Sequence, residues 1–297
     1  MPSAEAQQLA AMFRAAPPPL ETPDVGQMRA NMEGMAALGG AEPGTALEPA
    51  DAAGVPAEWS VAPGASRTRA ILYLHGGGYV IGSIATHRGL VSRLSAASGA
   101  AGFAIDYRLA PEHPFPAAVD DAVAAYRWLL GQGLEPGRIA IAGDSAGGGL
   151  TVATLLALRD AGAPLPACAV VFSPWTDLAL EGASMDARDA RDPMVHRPGL
   201  QQMADWYLAG QDPRQPLASP IHGDLRGLPP LLIQVGTEET LYDDAVRIAV
   251  RAVEAGVPVA FEPYPEMFHV FQIFGMLPEA HTAVKAAGAF IARHTGS

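Results

Sequence analysis

The sequence is poor in the side chains that several enzyme classes depend on. Cys168 is its one cysteine among 297 residues, so an intrachain disulfide and a Cys-x-x-Cys metal or redox site are both excluded. Lys285 is its one lysine, which rules out a Gly-x-x-x-x-Gly-Lys phosphate loop and leaves a single, C-terminal position for any Schiff base. Basic residues are also scarce: 19 Lys and Arg against 31 Asp and Glu give a net charge of −12. That balance disfavours nucleic acid and anionic membrane surfaces, because phosphate binding rests on cationic neutralisation. No run of ~18 apolar residues occurs, and Met1–Arg14 carries no basic-then-apolar signal pattern. The expectation is a soluble cytoplasmic protein without nucleic-acid or membrane partners.

Apolar material is plentiful, at 49% of residues, so the chain can bury a large core and disorder is excluded. Residues 4–16 and 24–38 read as short amphipathic helices divided by Pro17-Pro18-Pro19, and 39–56 reads as a Gly/Ala/Pro-rich loop. Apolar runs then fall at 70–74, 102–105, 138–142, 168–172, 231–235 and 257–262. Helical stretches lie between or after them, near 87–98, 115–131, 146–161, 240–255 and 278–294. Near-continuous apolar strands alternating with helices predict an α/β fold with a mostly parallel sheet covered on both faces. Residues 181–222 break the rhythm with mixed charge and no obvious strand. With the N-terminal helices they are expected to form a cap: residues 1–45 as cap helices, 46–297 as catalytic domain, and 181–222 as the domain's contribution to the cap.

Gly143-Asp144-Ser145-Ala146-Gly147 follows the strand 138–142 and precedes a helix, which is the context of a nucleophile elbow. Small flanking residues let the chain turn sharply, expose the serine and bring it to a helix N-terminus. His75-Gly76-Gly77-Gly78 follows the strand 70–74. Consecutive glycines there allow bare N–H donors to approach an oxyanion. A dinucleotide site is the competing reading, but no Gly-x-Gly-x-x-Gly opens a helix here and no acidic residue follows at the required distance. Of the eight histidines, His269 alone sits in a loop after a late strand, matching the order nucleophile, acid, histidine.

These segments, together with Asp106-Tyr107-Arg108-Leu109-Ala110-Pro111-Glu112-His113-Pro114-Phe115-Pro116-Ala117, resemble the bacterial hormone-sensitive-lipase-like esterases of the α/β-hydrolase superfamily. The likeness runs from about residue 55 to the C-terminus. It implies Ser145 as nucleophile, His269 as general base and acid, and the N–H groups of Gly77, Gly78 and Ala146 as oxyanion hole. It also implies a structural His75 and a polar network of Asp106, Arg108, Glu112 and His113. The family's Asp-x-Leu-x-Asp is replaced here by Glu239-Thr240-Leu241-Tyr242-Asp243, which puts Glu239 at the catalytic acid, with Glu238 and Asp243 as alternatives.

The resemblance further implies a serine carboxylesterase for short-to-medium acyl esters that needs no metal or cofactor, and a possible homodimer through the last strand and helix. An activity rising through pH ~6–7 follows from a neutral histidine base. Met28, Met32 and Met35 share one helix face, which reads equally as a packing face or as a wall of the substrate pocket, and Tyr79, Trp175, Trp206 and Tyr207 are further candidates for that pocket. Amide, carbamate or lactone hydrolysis would use the same residues. The fold also hosts non-catalytic small-molecule receptors that lack the catalytic histidine, which His269 argues against.

Overall fold

The computed structural model describes residues 1–15, 24–36 and 40–296. Pro17, Pro18 and Pro19, read above as a helix breaker, lie outside them, as do residues 37 and 38 at the end of the second expected helix. Two helices open the chain, α1 (Ala4–Arg14) and α2 (Val25–Ala36). Eight strands then form one sheet: β1 (Ala46–Asp51), β2 (Pro56–Val61), β3 (Ser66–Leu74), β4 (Ala100–Ile105), β5 (Ile139–Asp144), β6 (Cys168–Phe172), β7 (Leu231–Gly236) and β8 (Val259–Tyr264). Their spatial order is β1-β2-β4-β3-β5-β6-β7-β8. The pairs β1–β2 and β2–β4 are antiparallel and all others parallel.

The connecting helices are α3 (Ile84–Ser98), α4 (Ala117–Gly131), α5 (Ala146–Asp160), α6 (Ser184–Ala187), α7 (Arg197–Leu208), α8 (Tyr242–Glu254) and α9 (Pro278–Thr295). Strand side chains alternate between the two faces. On β3, Ile71 and Tyr73 pack with Leu90 and Leu94 of α3 and Val284 and Ile291 of α9. Leu72 and Leu74 turn the other way, into the larger core with Ala125 and Leu129 of α4 and Leu155 of α5. Burial on both faces is why these strands read as continuous apolar runs. Cys168 lies inside the sheet, where burial pushes its thiol up to about 12 and keeps it neutral.

Two strands depart from the sequence reading. The stretch expected to be a loop contains β1, an exposed edge strand that tolerates Pro49 because an edge position can forgo a ladder donor. Its neighbour β2 is interrupted by Glu58, which holds Arg88 at 2.8 and 2.9 Å. Neither carries the apolar run that marks the central strands. Residues 181–222 contain α6, α7 and a short 3-10 turn, with no strand. Among the described residues no helix is long and apolar enough to cross a membrane.

The first two helices are tied down over the C-terminal ends of the parallel strands. Ser3 caps α1 and bonds Glu279 at the start of α9, while Phe13 packs edge-on to Phe268. Arg29 of α2 donates to the carbonyls of Val80 and Ala110 and forms a two-pronged pair with Glu112. The expected network of Asp106, Arg108, Glu112 and His113 is not formed. Arg108 pairs with Asp121, Asp106 accepts from Ile84 N, Glu112 holds Arg29, and His113 is exposed. Each residue braces a different junction.

The layer of α3 and α9 is tight enough to test. A Cβ at Gly288 would overlap Ala97, whereas one at Gly131 meets nothing within 4 Å. Gly288→Leu is expected to destabilise by about 1–3 kcal/mol through overpacking, and Gly131→Ala to be neutral or stabilising by up to about 1 kcal/mol. Chemical denaturation of both variants checks the contrast.

Candidate active site

The turn between β5 and α5 places Ser145 at φ +52°, ψ −121°, a left-sided backbone that costs energy for a non-glycine residue. Its glycines are required by crowding. A Cβ on Gly143 would strike the backbone of Gly147, and one on Gly147 would strike the carbonyls of Leu74 and His75. The start of α5 therefore rests directly on the end of β3, and Ser145 stands beside the glycine loop that follows β3.

Three side chains meet there. His269 Nε2 lies 2.9 Å from Ser145 Oγ, and Nδ1 of the same ring lies 2.9 Å from Glu239 Oε2. The other carboxylate oxygen of Glu239 accepts from Ser173 Oγ at 2.7 Å and from Gly236 N at 2.6 Å. The longer glutamate thus curls back onto the turn that carries it, and Ser173 Oγ accepts in turn from Val270 N at 3.1 Å, beside His269. Glu239 is fully buried, His269 and Ser145 nearly so. An acceptor at Nδ1 puts the ring proton there and leaves Nε2 free to take the serine proton. Burial alone would depress the imidazole pKa, but the hydrogen bond and charge of Glu239 outweigh it and raise the pKa above 6.5.

The two alternative acids are engaged elsewhere. Glu238 pairs with Arg191 at 2.6 and 2.7 Å, and Asp243 accepts from Ser184 N at 2.9 Å.

Gly77 and Gly78, at φ +112° and +62°, line the same cavity as Ser145, in a conformation that side chains resist. Ala146 opens α5, whose first-turn N–H groups have no intrahelical partner. His75 braces the loop: its ring stacks on Tyr107 at 4.2 Å, and its Nδ1 lies 2.8 Å from Gly76 O.

Ser145 and His269 open into a cavity of about 500 Å³. Its walls include six of the ten methionines: Met12, Met28, Met32, Met194, Met203 and Met276. Met28 and Met32 thus line the cavity, while the side chain of Met35 lies outside the described residues. Tyr79, Trp175, Trp206 and Tyr207 are not among the described residues that line the cavity. Tyr79 and Tyr207 stack on each other at 3.8 Å, Trp175 is fully buried with Nε1 on Asp177 O, and Trp206 packs on the core behind. A large aromatic is equally at home in a core, and these four lack any signal that separates the two settings. Among the lining residues that the sequence did not single out are Phe13 of α1 and Ile273 to Met276 before α9, an ordinary amphipathic face and an ordinary loop in sequence.

Known proteins share this fold. A family model described as the alpha/beta hydrolase fold matches residues 71–273. An acetyl-hydrolase of Streptomyces hygroscopicus is 59% identical over 241 residues, 81% of this chain and 80% of that protein. An esterase of Acinetobacter venetianus is 38% identical over 244 residues, 82% of this chain and 80% of that one. The crystal structure of an esterase from the bacterial hormone-sensitive lipase family matches with a TM-score of 0.96 at 46% identity, covering 100% of both chains. The chain belongs to the α/β-hydrolase fold family, among its bacterial hormone-sensitive-lipase-like esterases.

Proposed function

We propose that the protein is a serine carboxylesterase acting on short-to-medium acyl esters through an acyl-enzyme on Ser145. The observation that carries this is the unbroken chain Ser145–His269–Glu239, whose serine end opens into an apolar cavity. Ser145 Oγ attacks the ester carbonyl as its proton passes to His269 Nε2, and the carbonyl oxygen takes the charge. The N–H groups of Gly77, Gly78 and Ala146 stabilise that oxyanion. His269 then returns the proton to the leaving alkoxide, the C–O bond breaks, and water repeats the cycle on the acyl-enzyme. Glu239 holds the tautomer and stabilises the imidazolium, a role that any well-placed carboxylate fills. The first two helices and residues 181–222 serve as the cap: Met12, Met28, Met32, Met194 and Met203 supply a polarisable wall that adapts to irregular acyl shapes.

On p-nitrophenyl esters from C2 to C12, kcat/KM is expected to peak at about C4 to C8, as a pocket of this size closes around a short chain. A profile still rising at C12 contradicts the assigned pocket. Ser145→Ala should lose about 10⁵–10⁶-fold in kcat and Glu239→Ala about 10³–10⁴-fold. Asp243→Ala should lose far less, and the reverse ranking removes Glu239 from its role.

The pH profile follows from the raised His269 pKa. A proton held more tightly must be removed at higher pH before the ring can act as base, so the acid limb of kcat/KM should have its midpoint above 6.5. In Glu239→Gln the opposing charge is gone while burial remains, so the limb should move to lower pH as the plateau falls. A limb unmoved by that substitution assigns it to another group.

A further inference from the structure

Asp144 stands one residue before the nucleophile and is 2% exposed. A buried carboxylate is costly unless paired, and this one lies beside the place where the oxyanion forms. Its Oδ1 accepts from the Tyr73 hydroxyl at 2.6 Å and from Gly76 N at 3.1 Å. Its Oδ2 faces Nε2 of His87, in the first turn of α3, at 3.3 Å.

The protons on His87 follow from its other neighbours. The single hydroxyl proton of Thr86 goes to Ser83 O at 2.8 Å, and Thr86 Oγ1 itself accepts from Ser83 N at 2.9 Å. Toward His87 Nδ1, 2.7 Å away, Thr86 Oγ1 can only accept, so Nδ1 carries a proton. An ionised Asp144 calls for a second proton on Nε2, and only the imidazolium offers both.

We propose that His87 is a positioning residue: as a cation it holds the Asp144 carboxylate, and through Asp144 the Gly76–Gly77 segment, in the geometry that stabilises the oxyanion. The peptide joining His75 and Gly76 is gripped at both ends, its carbonyl by Tyr107 Oη at 2.7 Å and its N–H by Asp144. The next carbonyl, of Gly76, faces His75 Nδ1 at 2.8 Å, which turns the Gly77 N–H of that trans peptide to the opposite side. The cation also cancels a carboxylate charge that would otherwise oppose the oxyanion.

The charges around the pair support it. Burial opposes a charge on His87, yet the charge and hydrogen bond of Asp144 outweigh it and hold its pKa above 6.5, with Ser83 O and Glu33 of α2 adding to the rise. Burial pushes Asp144 up, and His87 and Tyr73 more than offset it. His75, with ring centroid 5.6 Å from that of His87, is driven down to about 3 by burial and by the His87 charge, so it stays neutral. Asp106, after β4, accepts from Ile84 N at the start of α3. When His87 loses its proton at alkaline pH, its bare Nε2 faces the carboxylate and competes for Gly76 N, 3.3 Å away.

This inference rests on the serine-esterase reading, and the experiment separates the two. Labelling of Ser145 by a fluorophosphonate tests that reading by itself, and its absence in the wild type overturns both. With labelling intact, ¹⁵N-histidine NMR of the wild type should show His87 as an imidazolium at pH 7, and kcat should fall along an alkaline limb that tracks its titration. His87→Gln should lose about 10²-fold in kcat with little change in KM, and lose that limb. His87→Lys should recover part of the rate by restoring a cation. Because removing both members of a buried pair is milder than removing one, His87→Gln with Asp144→Asn should be faster than either single variant. A neutral His87 at pH 7, or a His87→Gln enzyme with wild-type kcat and alkaline limb, overturns the proposal.

Discussion

The site depends on one close approach of backbone to backbone. Gly147, in the first turn of α5, lies against the carbonyls of Leu74 and His75 at the end of β3, with no room for a Cβ. The pairing of β3 with β5 delivers both chain segments to the same place. The elbow then projects Ser145, and the loop after β3 brings Gly77 and Gly78 to its side. The proposed nucleophile and oxyanion donors thus come from elements whose relative position is set by sheet hydrogen bonds. In the proposed reaction such a scaffold sets the geometry before substrate arrives, which is the condition for electrostatic stabilisation without reorganisation.

Two buried histidine–carboxylate pairs flank the serine. In the pair His269–Glu239, the carboxylate occupies Nδ1 and leaves Nε2 for Ser145. In the pair His87–Asp144, Nδ1 faces Thr86 Oγ1 and the carboxylate is met by Nε2. An imidazole paired with a carboxylate in opposite orientations suits the proton acceptor proposed for His269 and the fixed counter-charge proposed for His87. Second partners set the difference: Ser173 and Gly236 hold Glu239, whereas Tyr73 and Gly76 hold Asp144.

What was legible in the sequence was what backbone geometry or burial demands. Strands β3 to β7 announce themselves because both faces are covered, and the elbow and glycine loop because only small residues fit there. Edge strand β1, with Pro49 and an exposed face, has no such constraint. The resemblance pointed to Glu239 by aligning Leu241 and Asp243 with the family's motif, and in the structure its carboxylate meets His269 Nδ1 and Gly236 N. Tyr79, Trp175, Trp206 and Tyr207 were misplaced because stacking and local hydrogen bonds satisfy an aromatic inside a core as well as in a pocket. His87 looks like any histidine on a helix, since its partner lies 57 residues away and meets it only through the fold.

The covalent acyl-enzyme is the central claim, and product partitioning tests it most directly. Three butyrate esters with different leaving alcohols would be hydrolysed in aqueous methanol, and the ratio of methyl butyrate to butyrate measured for each. A shared acyl-enzyme predicts one ratio for all three, because the leaving group has departed before methanol and water compete. A ratio that changes with the leaving group would contradict it, and would mean that water attacks the ester itself.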